Sequence, residues 1–374
     1  MKLPLIPPGT MPMVDSPKIA WFATKGSGSN EADRIEWLVS RFPNCVELPF
    51  RKSHKLASFC GLWKAVCAER PDLVVMEGTG LMGGLICLLA NAFLRIPYVV
   101  SSGDAVGPFV SAHNLLAGPF FCYYERLLCR HAAGYIGWTP YLCGRAMTFG
   151  TRRTVTAPGW VIGGDSSLES HRSAIREGWG VSEHSLVVGI VGSLVWNRRH
   201  SWCYGMDLVR AARRLQRKDL AVVIVGEGSG MEMLRKEAGA QLGENIFLPG
   251  SVPLEQVTTV LRAMDVGSLP QSVDGVGAFR YTTKLPEYAG CGLPVITNQV
   301  PMAYDIGLDW MWRLPGDAPW DRMYLDGLVH FLEELTPETV AGKRSQIPEL
   351  NLIFDRSAQR ERVTVFLNDL LRHS

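Results

Sequence analysis

Short apolar segments alternate with segments of helical periodicity along the whole chain. In the first half, strand-like apolar segments lie at 19–23, 72–76 and 97–101, and each runs into a polar or glycine-containing segment. A helical pattern at about 31–41 follows the first of them. This alternation is typical of α/β proteins with parallel sheets, and such sheets bind ligands at the carboxyl ends of their strands.

The pattern restarts after a turn-rich stretch at 157–167. The second half predicts strands at 186–191, 220–225, 246–250, 266–270 and 295–297, a helix at about 284–290 and an amphipathic helix at 360–372. We therefore predict two Rossmann-like domains, one over 1–165 and one over 166–355, that face each other across a ligand cleft. The terminal segment, 356–374, is expected to pack back on the first domain.

Composition supports a folded α/β protein and excludes several other classes. A chain of 374 residues suits two domains of about 150 residues each. Its 47% hydrophobic and 20% charged residues exclude disordered and fibrous architectures. The net charge of +2 argues against a dedicated nucleic-acid binder. The charge is uneven, because the first 165 residues contribute +5 and the remainder −3.

The sequence indicates a cytoplasmic protein. The longest apolar run, 81–94, contains two glycines and an asparagine and is shorter than the roughly 20 residues that span a bilayer. Prolines interrupt the first eight residues, so we predict no signal peptide. The nine cysteines are odd in number and include no C-x-x-C pair, which favours free thiols in a reducing compartment. No metal-ligand motif stands out.

Glycine-rich loops after predicted strands are candidates for phosphate binding, because their backbone N–H groups are free to face an anion. Three loops have this composition: Gly26-x-Gly28, Gly226-x-Gly228-x-Gly230 and Asp274-Gly275-Val276-Gly277. None completes G-x-G-x-x-G or continues into G-K-[ST], so neither a dinucleotide fingerprint nor a P-loop is present. A tight strand-to-helix turn without a ligand is an equal interpretation of each loop.

The segment 283–296 carries a sharper signal. Glu287 lies in the first turn of a predicted helix, where the dipole favours a negative charge, and Lys284 lies three residues earlier on about the same face. A glycine–proline turn then leads directly into a buried strand. A nucleotide sugar needs this combination, because a cation binds its diphosphate and a carboxylate accepts hydrogen bonds from its ribose.

This segment resembles the donor-site signature of GT-B glycosyltransferases, specifically the retaining family 4, glycosyl transferases group 1. The resemblance covers about 185–300 well, including a glycine–basic loop at 188–199, and strands with their turns at 223–228 and 245–250. In the first half it depends on Gly26-x-Gly28, on 96–100 and on 157–161. It implies a metal-independent hexosyltransferase that moves a sugar from a UDP- or GDP-sugar and needs no other cofactor.

The resemblance also implies roles for individual residues. Glu287 would hold the donor ribose, Arg199 or its neighbour Arg198 would bind the diphosphate with Lys284, and Asp104 would lie near the acceptor hydroxyl. Further donor contacts would come from loop residues, namely Gly26, Gly28, Gly192, Gly226, Leu248, Val252, Gly275, Val276 and Gly277. The implied partners are the nucleotide sugar and a saccharide, lipid-linked or small-molecule acceptor.

Two positions depart from the family pattern. The first glutamate of the family's E-x7-E motif falls on Phe279, and Asp274 is a candidate to supply that carboxylate across a longer loop, with a solvated turn aspartate as the alternative. Ser193 stands where many members carry arginine. These departures leave a non-catalytic GT-B scaffold open, and a sugar-nucleotide epimerase is a further alternative.

A basic amphipathic segment at 51–70 suggests peripheral contact with an anionic membrane. It places lysines and arginines beside Leu56, Phe59, Leu62, Trp63 and Val66 at helical spacing, a pattern found in helices that lie in the membrane interface. The aromatic run 120–124 is a second candidate. Ordinary core-facing helices are the alternative for both segments. Membrane contact would suit a lipid-linked acceptor at the cytoplasmic leaflet.

Overall fold

The computed structural model describes residues 16–160, 171–305, 309–348 and 353–373. The described chain divides into two compact units. The first contains 16–157 together with 359–373, and the second contains the described part of 158–358. The predicted domain boundary at 165 and the proline-containing amino terminus lie outside the described residues.

The first unit is built on a six-stranded parallel sheet. Its strands are β1 (Ile19–Ala23), β2 (Cys45–Glu47), β3 (Leu73–Glu77), β4 (Tyr98–Ser102), β5 (Gly134–Gly137) and β6 (Thr154–Thr156), in the order β2-β1-β3-β4-β5-β6. The central strands β1, β3 and β4 are buried along their whole length, as expected where helices cover both faces of a parallel sheet. The strands predicted at 19–23, 72–76 and 97–101 are thus confirmed, two of them displaced by one residue.

The helices of this unit connect successive strands. They are α1 (Asn30–Val39), α2 (Lys55–Glu69), α3 (Leu81–Leu89), α4 (Val106–His113), α5 (Gly118–His131) and α6 (Pro140–Thr148). Helix α3 continues into a π-helical turn, Ala90–Leu94, so the longest apolar run of the sequence forms one helical segment. Within the described parts of the chain, no helix is both long enough and apolar enough to cross a bilayer.

The second unit repeats the architecture. Its strands are β7 (Leu186–Val191), β8 (Leu220–Val225), β9 (Ile246–Gly250), β10 (Val266–Ser268), β11 (Val295–Asn298) and β12 (Met311–Leu314), in the order β12-β11-β10-β7-β8-β9. Its helices are α7 (Arg172–Trp179), α8 (Met206–Ala212), α9 (Met231–Ala238), α10 (Val257–Arg262), α11 (Lys284–Gly290), α12 (Met302–Asp305), α13 (Arg322–Glu334) and α14 (Pro337–Arg344). All strand pairs are parallel. The prediction of two Rossmann-like domains is confirmed.

The last helix, α15 (Arg356–Arg372), contributes its residues from 359 onward to the first unit. Glycine at 134 makes this close packing possible, because a Cβ there would lie 2.6 Å from the ring of Phe366. Arg153 donates to the Asp369 carboxylate at 2.8 Å, and the guanidinium of Arg360 lies 4.1 Å from the ring centre of Trp37. The carboxyl-terminal segment therefore completes the core of the first unit.

Candidate functional site

Two residues singled out by the sequence, Gly192 and Lys284, meet at the carboxyl end of β7 in the second unit. Lys284 is the first residue of α11, and its side chain crosses the end of the strand so closely that a Cβ on Gly192 would lie 2.9 Å from Nζ. The same Nζ lies 4.7 Å from the ring centre of Tyr204. Glycine at 192 therefore leaves room for an ammonium group at the edge of the sheet where ligands of α/β proteins bind.

Glu287 lies one turn further along α11 and is partly buried. Burial raises the pKa of this carboxyl group to about 6, and the nearby charge of Lys284 offsets part of that effect. The group is therefore mostly ionised at pH 7 and protonated below pH 6. An ionised carboxylate can accept hydrogen bonds from two hydroxyl groups. Lys284 and Glu287 together offer a cation and an acceptor on one helix.

The glycine loop after β8 packs against the loop after β7. A Cβ on Gly226 would lie 1.9 Å from the carbonyl oxygen of Gly192, and one on Gly228 would lie 2.5 Å from that of Leu194. Leu194 donates its N–H to Glu227, and Gly230 donates to Leu194. Backbone packing between the two loops therefore requires glycine at both positions.

The basic pair Arg198 and Arg199 lies in a tight loop that Asn197 and Trp202 close through two backbone hydrogen bonds. Both arginines are exposed. The side-chain oxygen of Asn197 accepts the N–H of Arg199 at 3.0 Å, which holds the turn. The loop presents two cations to solvent after β7.

An aromatic cluster, formed by His200, Trp202, Tyr204 and Trp320, joins this loop to Lys284. The rings of His200 and Trp320 are stacked with centres 4.0 Å apart, and Trp202 packs edge-on against Tyr204 at 5.2 Å and Trp320 at 5.6 Å. Because Tyr204 also faces the ammonium group, the cluster supports one side of the site. Sequence analysis missed Tyr204 and Trp320, since nothing near Trp320 in the chain indicates its partners.

Asp274 closes the loop that was predicted to contact the donor sugar. Its Oδ1 accepts the backbone N–H groups of Val276 and Gly277 at 2.8 and 2.9 Å, in a turn that begins the 3-10 helix Gly277–Phe279. A Cβ on Gly277 would lie 1.9 Å from the carbonyl oxygen of Ser272, which explains glycine there. The N–H groups of Val276 and Gly277, which were predicted to contact the donor sugar nucleotide, therefore already donate hydrogen bonds to one oxygen of Asp274. Gly275 between them is exposed.

The residues predicted to flank the base lie at one edge of the sheet. Leu248 is in the edge strand β9, half-buried against the core, and Val252 follows that strand. Gly226 donates its N–H to the carbonyl of Gly250 at 2.8 Å. The loops after β7, β8 and β9 are therefore connected by hydrogen bonds, which brings these predicted donor residues to one side of the second unit.

In the first unit, the loop after β1 contains Gly26 and Gly28 in positive-φ conformations, at 102° and 73°. Ser29 caps α1 by accepting the N–H of Ala32. A cavity of about 790 Å³ adjoins this loop and is lined by residues from the ends of β1 and β2, namely Lys25, Gly26, Ser27, Pro49, Phe50, Arg51, Lys52 and Ser53. Lys25 is paired with Glu31, and Arg51 and Lys52, with the backbone groups around the cavity, suit an anionic ligand.

Asp104, the predicted acceptor-side carboxylate, lies in the loop after β4. Ser102 supports the loop, because its hydroxyl accepts the N–H of Asp104 and donates to its carbonyl oxygen. Gly103 packs on the indole of Trp138, where a Cβ would lie 2.8 Å from the ring. Trp138 in turn donates Nε1–H to the buried carboxylate of Glu77 at 3.2 Å.

Glu77 at the end of β3 also forms a buried ion pair with Arg34 of α1, at 2.6 Å. Arg34 bonds the carbonyl of Ala157 at 2.5 Å, where the first unit ends. Burial lowers the pKa of the guanidinium, and the charge of Glu77 opposes that shift. This network holds the loops after β3, β4 and β5 together, and nothing in the local sequence pattern indicated it.

No group of three or more His, Cys, Asp or Glu side chains that could hold a metal ion occurs among the residues that the structure describes. The cations of the site are lysine and arginine side chains. Charge on a bound diphosphate can be stabilised by such groups and by backbone N–H groups.

Two family models match the chain and together cover more than two thirds of it. The model for glycosyl transferases group 1 matches residues 185–309, and the model for the glycosyl transferase 4-like domain matches residues 22–159. The first match contains the cluster of Gly192, Lys284 and Glu287. The chain belongs to the group 1 family of GT-B glycosyltransferases, as the sequence resemblance predicted.

Solved structures agree with this fold. The chain is similar to a sucrose-phosphate synthase from Thermosynechococcus elongatus, with a TM-score of 0.69 and 14% identity over 96% of this chain and 100% of that one. It is also similar to a UDP-forming α,α-trehalose-phosphate synthase from Burkholderia vietnamiensis (TM-score 0.65, 12% identity, 95% and 98% covered). A third similar structure is MnaA of S. aureus in complex with UDP (TM-score 0.60, 15% identity, 95% and 97% covered). No curated protein sequence matches the chain.

Proposed function

We propose that this glycosyltransferase transfers a hexose from a UDP-sugar, with retention of anomeric configuration, to a saccharide, lipid-linked or small-molecule acceptor. The observation that carries the proposal is the start of α11, where the Lys284 ammonium lies beside Gly192 at the end of β7 and the Glu287 carboxylate lies one turn further along the same helix. Lys284 binds the diphosphate, and Glu287 accepts hydrogen bonds from the ribose. Arg198 or Arg199 supplies a second cation.

Uridine is favoured over guanosine by two of the similar structures, one of a UDP-forming enzyme and one of a UDP complex. Family membership supports retention, because the sequence resembles a retaining family. The leaving UDP carries developing negative charge, which the fixed cations of the site stabilise without a bound metal. Asp104 in the first unit would lie near the acceptor hydroxyl.

The proposed location is the cytoplasm, with peripheral contact at the inner face of an anionic membrane. All nine cysteines are free, and four of them are buried, which supports a reducing compartment. A lipid-linked acceptor would be reached from that face.

The test is nucleotide binding measured by thermal shift and calorimetry, with UDP, GDP, ADP and their sugars, in the presence and absence of EDTA. A ligand at about one hundred times its Kd stabilises the folded protein by about 2.7 kcal/mol. We expect UDP to give a shift that survives EDTA. Lys284→Gln should weaken UDP binding about tenfold, because a charge-assisted hydrogen bond contributes about 1.5–3 kcal/mol.

Lys236→Gln is the matched control, since Lys236 is an exposed lysine on α9 of the same unit. Equal UDP affinity in the two variants would contradict the assignment of Lys284. A shift with GDP alone would contradict the choice of uridine, and a shift that EDTA abolishes would contradict metal independence.

A non-catalytic nucleotide-binding protein is the second candidate. It is favoured by Phe279 in place of the first motif glutamate and by the engagement of Asp274 within its own loop. Slow hydrolysis of a UDP-sugar without acceptor distinguishes the two, because an enzyme releases UDP and a binding protein does not. An epimerase would instead form an isomeric sugar nucleotide without any acceptor.

A further inference from the structure

Helices α4 and α5 form a hairpin whose turn carries large exposed apolar side chains. Leu115 and Leu116 in the turn are 75% and 94% exposed, and Phe120 and Tyr123 at the start of α5 are 54% and 67% exposed. We refer to these four residues as the hairpin tip. Single exposed apolar residues are ordinary in proteins, but a contiguous group of large ones marks an interaction surface.

The apolar side chains point outward because the two helices touch through small residues. A Cβ on Gly107 of α4 would lie 2.9 Å from the Cα of Cys122 on α5, and one on Gly118 would lie 2.5 Å from the hydroxyl of Ser111. Helices in such close contact leave no space for large side chains between them. The residues of the hairpin tip are therefore not part of an internal core.

The hairpin lies at the carboxyl edge of the first sheet. Helix α4 follows the end of β4, and the last residue of α5, His131, leads to the start of β5, so the turn between the two helices lies on the side where the strands end. The hydroxyl of Tyr124 in α5 donates to the carbonyl of Gly80 at 3.1 Å, just after β3, which ties α5 to that edge. The same edge carries Asp104 and the basic cavity.

The exposed face of α5 changes from apolar to basic along its length. Arg126 and Arg130 follow Tyr123 at positions i+3 and i+7, so they share its face, and both are exposed. The only acidic residue between 105 and 131 is Glu125, which is buried and paired with Arg145 at 2.8 Å. The exposed surface of the hairpin therefore carries no negative side chain.

We propose that the hairpin tip inserts into the interfacial region of an anionic lipid bilayer, with Arg126 and then Arg130 at the headgroup phosphates. Arg126 lies about 9 Å from Phe120 along the helix axis, a depth that matches the distance from the acyl boundary to the headgroups. An exposed turn of leucines and aromatics followed by arginines suits a lipid surface, where tyrosine also lies at the interface. The inference rests on the membrane contact in the proposed function and is independent of its transfer chemistry.

Of the two segments that the sequence offered for membrane contact, this assignment takes the second, 120–124, together with the turn before it, and not 51–70. In α2, Leu62 and Val66 are completely buried and Phe59 and Trp63 are half-buried, so that most of its apolar side faces the core. Leu56 is the large apolar residue of α2 that remains well exposed, at 76%.

The first test is co-sedimentation with vesicles of phosphatidylcholine, with and without phosphatidylglycerol. We expect the wild type to bind the anionic vesicles, and Leu115→Gln/Leu116→Gln to bind about tenfold more weakly, because two exposed apolar side chains leave the acyl boundary. Leu56→Gln, equally exposed on α2, should bind as the wild type does. Arg126→Gln should lower affinity for anionic vesicles about fivefold, the effect of one basic residue near a charged surface.

A second test labels an exposed position on each helix, 123 on α5 and Cys60 on α2. One variant carries Tyr123→Cys with Cys122 and Cys60 replaced by serine, the other keeps Cys60 with Cys122 replaced by serine, and each is labelled with an environment-sensitive fluorophore. Anionic vesicles should shift the emission of the label at position 123 to shorter wavelength and leave the label at Cys60 unchanged. The opposite result would assign membrane contact to α2 and overturn the proposal.

Three further outcomes would also overturn the proposal. The wild type could fail to bind either kind of vesicle, or it could bind no better than the double leucine variant. In the third outcome, the wild type binds no vesicles but associates with itself, and the double variant does not. The last would identify the tip as a contact between copies of the chain. The UDP shift of the double variant, measured in parallel, separates failure of this proposal from failure of the donor site.

Discussion

Asp207 is a buried carboxyl group whose titration should dominate the pH dependence of the second unit's stability. It lies in the first turn of α8, is 1% exposed, and neither of its oxygens has a partner with normal hydrogen-bond geometry among the described residues. Burial raises its pKa from 3.8 to about 7, and the nearby Trp202 indole and Arg210 charge offset only part of that shift.

The sign of the effect follows from proton linkage. A carboxyl group with a raised pKa in the folded state binds its proton more tightly there than in the unfolded chain. The contribution of Asp207 to the unfolding free energy is therefore largest below about pH 4 and falls as pH rises to 7. Each pKa unit corresponds to about 1.4 kcal/mol. The shift of Asp207 is about three units, so this group alone should lower stability by about 4 kcal/mol across that window.

The perturbation is Asp207→Asn, which keeps the shape and removes the titration. Hydrogen–deuterium exchange in urea, measured by mass spectrometry on peptides from β7 and β8, reports unfolding of the second unit. From pH 5 to 7 we expect the wild type to lose about 2–3 kcal/mol more than the variant. Asp309→Asn, at an exposed position of the same unit, should follow the wild type.

The comparison uses the slope of the unfolding free energy against pH. An asparagine at position 207 lowers the unfolding free energy by a constant amount, because its own amide is buried, and this constant does not change the slope. Parallel pH dependences of wild type and Asp207→Asn between pH 5 and 7 would refute the reasoning. A greater slope in the variant would contradict the sign.

Two further predictions follow from the site. Gly226→Ala should destabilise the second unit by more than about 2 kcal/mol, because φ is 148° and the new Cβ would lie 1.9 Å from a carbonyl oxygen. Gly178→Ala in α7 of the same unit, with nothing within 4 Å of its Cβ, should not, and equal effects of the two substitutions in urea unfolding would contradict the packing role. UDP affinity should fall about tenfold from pH 7 to pH 5, because Glu287 becomes protonated around its pKa of about 6. Glu287→Gln should bind UDP more weakly and with no dependence on pH. Calorimetric titrations that find the same pH dependence in this variant would contradict the placement of Glu287 in the donor site.

The fold could be predicted from the sequence because its signals are local. The segments 186–191 and 220–225 are apolar throughout. Such short, fully apolar segments are typical of strands that are buried on both faces of a parallel sheet. The helix predicted at about 284–290 spans Lys284–Gly290, and Gly292 and Pro294 just after it indicated where it ends. Strands β2 and β6 have only three residues each. Three residues are too few to show a pattern of hydrophobic and polar positions, so these strands were not predicted.

The candidate site could be predicted only in part. Lys284 and Glu287 are three residues apart on one helix, so local geometry already placed them together. The glycine loops could not be assigned, because packing against another backbone and binding a phosphate both require the same residue. The hydrogen bonds from the backbone N–H groups of Val276 and Gly277 to Asp274 show that this loop forms a closed turn. The amino-acid composition of the loop does not indicate whether the turn is closed or open.

By itself the sequence determined the α/β class, the duplicated Rossmann-like pattern, the family and the residues of α11, because periodicity and short motifs encode local structure. Only the tertiary structure decided which distant groups meet: Arg34 with Glu77, Trp320 with His200 and Trp202, and Lys284 with Gly192. It also decided which apolar residues remain exposed, burying Leu62 and Val66 and leaving Leu116 outside. Burial and long-range contact depend on how elements pack, and no local pattern of hydrophobic residues specifies that packing.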